Sequence, residues 1–216
     1  EAFTLIKNTS LRPGYSYKPL AGSDDFKEDS DKESFGFKSI WQFNHEPELS
    51  LIRRDFEEGK VFVKTGKEVS KATAAVNTLT QRTLGPECSA EVSIDASSLN
   101  EGDTAGLMLL QGKYSYAGIR IKGGKYYAVM NEGEETTEEI EVKSSIRLRA
   151  DCNFKDGIDE VRVSVLTSGG YVPLGRPFHM EFTLEHFTGA RFALFIYSKE
   201  QAGGEAGFSD FVYGRS

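Results

Sequence analysis

The chain has few of the residues on which metal, redox and nucleic-acid chemistry are usually built. Its 216 residues hold two cysteines, Cys88 and Cys152. They are too few for the disulfide frame of a small secreted domain, and their spacing fits no zinc motif. Both lie in strand-like runs, "CSAEVSID" and "RLRADCNF", which leaves two readings: buried thiols, or one bridge between neighbouring strands. Basic charge is also short, with 26 Lys and Arg against 33 Asp and Glu and a net charge of −7. Without a basic stripe to release counterions from phosphates, nucleic acid is not an expected partner. No apolar run approaches the ~18 residues of a membrane span, so no membrane partner is expected either. Six prolines against 22 glycines fit tight turns rather than a disordered tract. No initiator Met or apolar leader opens the chain, as in a processed or excised piece.

Catalytic motifs are missing too. There is no G-x-S-x-G, no H-E-x-x-H and no phosphate-cradling glycine loop. The Gly-Gly pairs at 123–124, 169–170 and 203–204 fall between strand-like runs, where hairpins use them. The three histidines do not cluster; His179 and His186 sit near strand ends as surface or edge groups. The acidic residues fall mostly in turns or on alternating outer faces, as in "EGEETTEEIE". No catalytic residue is assigned, and the chain is not expected to be an enzyme on its own.

What is present is β structure. Residues 1–23 keep no sustained period and carry Pro13, Gly14, Pro19 and Gly22, which predicts a linker or surface strap. From residue 60 short runs recur between turn signals. "KVFVKT" sets Val61 and Val63 against Phe62 and Lys64, and "EVRVSVL" alternates Val161, Val163 and Val165 with Arg162 and Ser164. "AGLMLLQ" is apolar throughout, as a strand covered on both sides would be. "YSYAGIRIKGGKYYAVMN" reads as a hairpin turned by Gly123-Gly124, and "LEHFTG" as a short helical insert. About a dozen strands without βαβ punctuation predict an all-β, antiparallel two-sheet sandwich of jelly-roll type over residues 24–216. A chain of this length buries roughly 70% of its unfolded surface and needs no disulfide or cofactor to fold.

Candidate binding residues gather in two stretches. "IWQFNHEP" holds the only tryptophan, Trp41, followed by Asn44 and His45 in a turn, which suggests a rim with a stacking ring and hydrogen-bonding groups. The competing reading is a core Trp41 with Asn44 capping a turn. "NTLTQRT" is too polar for a strand packed on both faces: alternation places Asn77, Leu79 and Gln81 on one side and Thr78, Thr80 and Arg82 on the other. Gln111, Tyr114 and Tyr116 in "LLQGKYSYAG" extend the same surface. Planar amides beside aromatic rings are the ingredients of carbohydrate recognition. A structural calcium tying the first and last strands would use Asp24 or Asp25 with Asp210.

Three quoted blocks, "WQFNHEP", "NTLTQRTLGPECSAEVSIDASSLNEGDTAGLMLLQGKYSYAGIRIKGGKYYAVM" and "TGARFALFIYSKEQAGGEAGFSDFVYG", resemble in order the C-terminal concanavalin A-like sandwich of family-43 glycoside hydrolases. Those are bacterial enzymes of the β-xylosidase and α-L-arabinofuranosidase type. The resemblance covers about Asp24 to Tyr213. It implies an N-terminal five-bladed propeller carrying the catalytic carboxylates, and an extracellular or periplasmic setting. This chain would then be a non-catalytic accessory module that binds plant cell-wall xylan- or arabinan-type glycans or completes the propeller's substrate pocket. The alternative is a structural docking domain without a ligand. Trp41, Asn44, His45, Gln81, Arg82, Gln111, Tyr114 and Tyr116 are the expected carbohydrate or domain-interface residues. Two departures fall on that surface: "PELSLIRR" stands where relatives carry a second Trp, and Val76 where they often carry Arg.

Overall fold

In a computed structural model the described residues are 14–30, 32–181, 183 and 188–215. Fifteen strands appear among them. In chain order they are β1 (Gln42–Phe43), β2 (Ile52–Asp55), β3 (Lys60–Lys64), β4 (Leu79–Arg82) and β5 (Glu87–Ser98). Next come β6 (Asp103–Leu110), β7 (Ser115–Lys122), β8 (Lys125–Glu132), β9 (Glu135–Val142) and β10 (Ser145–Asn153). The last are β11 (Glu160–Thr167), β12 (Gly170–Pro173), β13 (Phe178–His179), β14 (Arg191–Ser198) and β15 (Glu205–Arg215). One sheet runs β1-β4-β14-β6-β7-β8-β9 and the other β12-β11-β10-β5-β15-β3-β2, with β13 pairing β11. All the pairs are antiparallel, so the expected two-sheet sandwich is the observed one. The "LEHFTG" insert and His186 lie largely outside the described residues, and His179 is exposed beside Glu160.

Strict alternation builds the core. Along β5, Cys88, Ala90, Val92, Ile94 and Ala96 point inward while Glu87, Ser89, Glu91, Ser93 and Asp95 stay partly exposed. Val161, Val163 and Val165 of β11 and Ile146, Leu148 and Ala150 of β10 do the same. From the facing sheet come Leu107, Leu109, Ala117, Ile119, Phe192 and Leu194. Every residue of β6 is buried, because its outward side, Met108 and Leu110, joins a second apolar cluster with Tyr116, Val129, Phe195, Tyr197, Ala72 and Ala75. Cys88 and Cys152 stand opposite each other in register on β5 and β10, and both thiols are free. The "GG" turn of the β7–β8 hairpin sits at φ +59° and +73°, the left-handed region that glycine enters without penalty.

Ahead of the strands, Gly22 N–H donates to Gln81 Oε1 at 3.0 Å. Ser23 Oγ then accepts Tyr213 N–H at 2.9 Å. At Asp24 the main chain exchanges two hydrogen bonds with Phe211 of β15, at 2.8 and 3.0 Å. Its carboxylate, 4% exposed, accepts from Trp41 Nε1 at 2.9 Å and Phe26 N at 3.0 Å, and pairs with Lys38 Nζ at 3.0 Å. Trp41 stacks on Phe26 and meets Phe211 edge-on. Removing the carboxylate would strand a buried indole N–H and a partly buried ammonium, and that penalty is larger than the lost bonds themselves. Asp24→Ala is therefore expected to cost about 2–4 kcal/mol in urea unfolding. The Trp41 emission of the folded variant should also move to the red.

Candidate functional site

The stretch Gln42–Pro47 forms the open rim of the first sheet. Its edge strand β1 pairs Gln42 with Thr80 and Phe43 with Leu79. Phe43 turns toward the core, where Phe37 meets it edge-on, and Phe35, 47% exposed, packs on its other side. Asn44 and His45 are exposed. Their side chains touch at 3.1 Å, and His45 Nε2 lies 3.3 Å from the Thr73 carbonyl. Behind them Asn77, with φ +59°, clamps the Glu48 backbone from both ends of its amide, accepting from N–H at 2.8 Å and donating to C=O at 2.9 Å. A hollow of 420 Å³ opens beside the rim, lined by Phe35, Ser39, Trp41, Gln42, Phe43, His45, Pro47 and Leu79 among others.

Gln42 joins this hollow to the outward face of β4 and β14. Arg191 donates from Nη2 to Gln42 Oε1 at 2.7 Å and from Nε to Thr80 Oγ1 at 2.9 Å. Thr80 Oγ1 in turn donates to the Gln42 backbone carbonyl at 2.9 Å. Arg82 stands directly opposite Arg191 in the ladder. Burial first, and the neighbouring Arg82 charge second, pull the Arg191 pKa down.

The sequence-expected residues separate into two groups. Asn44 and His45 stand exposed at one end of the rim, and Arg82 is exposed on the other side of Gln42, opposite Arg191. Trp41 does not reach the surface, since it is 2% exposed and tied to Asp24; it anchors the rim instead. Gln81 was expected on a groove but is fully buried, because alternation that puts Thr80 and Arg82 outward turns Gln81 inward with Leu79. Gln111 is buried with neither amide atom bonded. Tyr116 is buried at 1%, roofed by a segment of the chain's own backbone. Arg191 and Gln42 were missed, although a lone arginine heading the apolar run "RFALFIYS" was a readable signal.

The roof explains why the tyrosines form no open platform. Ala72 and Ala75 pack on Met108, Tyr116, Phe195 and Tyr197. Glu134 pins them: its carboxylate accepts from Tyr114 Oη at 2.7 Å, Ala72 N–H at 3.0 Å and Tyr197 Oη at 3.4 Å, and pairs with Lys199 Nζ at 3.0 Å. Tyr116 and Tyr197 share a hydrogen bond of 2.9 Å. Burial alone raises the Glu134 carboxyl, but the bonds from Tyr114, Ala72 N–H and Lys199 outweigh it and hold the pKa below 4.5. Burial and Glu134 together push the Tyr114 phenol upward.

The calcium expectation meets a poor donor set. Asp25 is exposed and accepts only from Lys27 N–H, at 3.2 Å. Asp210 is exposed in the irregular stretch of β15 between Ser209 and Val212. Among the described residues no three His, Cys, Asp or Glu side chains gather as a metal group, whereas calcium asks for 6–8 oxygens. The tie between the first and last segments is made by Asp24 instead.

Glu134 gives a pH test. A carboxyl whose folded pKa lies below its unfolded one stabilises fully above the unfolded value and loses that contribution as pH falls through the folded one. The melting-temperature gap between wild type and Glu134→Gln should therefore be widest near neutrality and narrow as pH falls below the usual carboxylate range.

The comparisons with known proteins agree with this architecture. The family model described as "Beta xylosidase C-terminal Concanavalin A-like domain" matches residues 23–214. A bifunctional GH43-CE protein of Bacteroides eggerthii is 34% identical with a TM-score of 0.83, covering 95% of this chain and 26% of that one. A GH43 glycoside hydrolase engineered to display both endo-xylanase and exo-arabinofuranosidase activity is 24% identical, TM-score 0.81, with 96% and 42% covered. The xylan β-1,4-xylosidase of Bacillus halodurans is 12% identical, TM-score 0.72, with 95% and 41% covered. The last two show the fold alone. The chain thus spans less than half the length of each of these proteins. No curated protein sequence matches it.

Proposed function

The chain belongs to the family of β-xylosidase C-terminal concanavalin A-like domains, and on that premise we propose that it is a non-catalytic accessory module of a hemicellulose-degrading glycoside hydrolase. Its work is to complete the substrate groove of a neighbouring catalytic propeller, with the rim Gln42–His45 and the β4–β14 face as the contributed wall. The family is that of β-xylosidase domains and a 34% identical relative is a GH43 protein, which supports xylan- or arabinan-type glycans as the ligand class. The observation that carries this reading is the contrast between the two polar surfaces. The aromatic face around Tyr116 is closed by the chain's own residues, while Gln42 and His45 stand exposed on an open hollow, with Asn44 exposed next to His45. A self-sufficient sugar-binding module needs an exposed ring platform, and Trp41 and Tyr116 do not supply one.

A second reading, docking alone, is favoured by the strap. Tyr15, Tyr17 and Leu20 are 52%, 80% and 60% exposed, an apolar strip suited to a neighbouring domain. The strip and the rim are separate residues, so docking through one is compatible with groove-lining by the other.

The test uses the longer enzyme that carries this chain beside its propeller. His45→Ala and Asn44→Ala should each raise KM for neutral xylo- or arabino-oligosaccharides about fivefold, the worth of roughly one exposed hydrogen bond. The melting temperature should not move. Unchanged kinetics in both variants would leave the domain as a docking element. Submillimolar binding of neutral oligosaccharides by the isolated chain would make it an independent binding module instead.

A further inference from the structure

Most arginines of this acidic chain already face a carboxylate. Arg53 meets Glu205, Arg54 meets Asp29, Arg147 meets Glu91, Arg149 meets Asp151 and Arg176 meets Glu132. Arg82 and Arg191 depart from that pattern. No salt bridge joins either to a carboxylate among the described residues, and they face each other across β4 and β14. Like charges opposed on one sheet face repel, so the fold gives up stability to keep them there. Arg191 is moreover preset. Thr80 Oγ1 and Gln42 Oε1, both neutral, hold its Nε and one Nη and fix the plane of the guanidinium. Its other Nη has no hydrogen bond among the described residues. Two neighbouring guanidiniums, one of them held in place, match the bidentate geometry that selects a carboxylate.

We propose that Arg82 and Arg191 form a carboxylate receptor on the rim, and that its ligand is a uronic acid carried by the hemicellulose chain. This rests on the groove-lining reading above and makes it more specific: the module would favour acidic over neutral glycan. The surroundings favour a glycan over an acidic protein side chain. Gln42, which accepts from Arg191, also lines the hollow, where His45 offers an imidazole to hydroxyls and Phe35 an exposed ring. A protein interface centred on such a charge pair would be expected to ring it with apolar residues. The three most exposed large apolar residues among those described, Tyr15, Tyr17 and Leu20, belong to residues 14–23, and at the hollow Phe35 is exposed.

The carboxylate contact lies wholly within this chain, so the 216-residue protein serves for the test. Nitrogen-15 NMR would follow the Arg191 Nε–H and the amides of residues 80–82 and 190–192. Three probes would be titrated: a xylotriose bearing one glucuronic acid, the unsubstituted xylotriose, and acetate. The acidic sugar should produce saturable shifts about tenfold tighter than either of the others, and the advantage should shrink as salt rises. Arg82→Gln, at an exposed position, should abolish the preference while leaving the protein at least as heat-stable as wild type, because a repulsion is removed. Arg191→Lys, which keeps the charge and loses the planar fork, should weaken the acidic sugar alone.

Equal affinity for the two trisaccharides would overturn the receptor while leaving groove-lining intact. Acetate binding as tightly as the acidic sugar would overturn the uronic-acid assignment and point to any carboxylate, including one on a neighbouring domain. No shift from the acidic sugar at tens of millimolar would overturn the receptor outright. Groove-lining itself is judged separately, by the kinetics of His45→Ala on neutral substrates.

Discussion

The buried carboxylate of Asp24 is the point on which the arrangement of strap, rim and last strand depends. Three donors from three positions converge on it: the indole of Trp41, the amide of Phe26 and the ammonium of Lys38. Its own main chain is meanwhile paired to β15. A charge at this depth is tolerable only when surrounded in this way. Once surrounded, it fixes the chain before it and after it. The loop from Phe35 to Trp41 is held against the core, and β1 begins directly after Trp41 in a defined direction. The exposed groups that follow, from Gln42 to His45, inherit their position from an interaction none of them makes.

A second carboxylate does comparable work for the segment that touches His45. Glu134 holds the 72–75 segment down over the tyrosines, so the face where rings are most concentrated is spent on packing. The molecule therefore has one tyrosine-rich face that is closed and one polar edge that is open. The open polar groups lie at the edge because the centre is filled.

Much of the fold was legible in the chain because strand periodicity is local. The alternation at Val161, Val163 and Val165, the two-sided apolar run of β6 and the Gly123-Gly124 hairpin all follow from neighbours one or two positions apart. The site was legible only in part. Asn44, His45 and Arg82 announce themselves as polar residues in turn or strand contexts, and all three are exposed. Trp41 misleads because its partner, Asp24, lies 17 positions away, beyond the reach of any local pattern. Gln81 and Gln111 mislead for the opposite reason: polar side chains read as outward-facing, yet alternation and burial carry them inside. The opposition of Arg82 and Arg191 is a property of register, and register between strands more than a hundred residues apart has no trace in either segment alone.

The place of β15 in the second sheet has a consequence for how the molecule is made. The last strand of the sandwich lies neither at an edge nor beside its sequence neighbour, but between β5 and β3, with Asp24 also laced to it. Emerging from the ribosome, everything from the strap to β14 lacks the strand that joins its two halves. Such non-local closure is slow and leaves unpaired strand edges exposed while it waits. A domain translated ahead of this one would have finished folding by then, and the unfinished sandwich would meet a surface already formed.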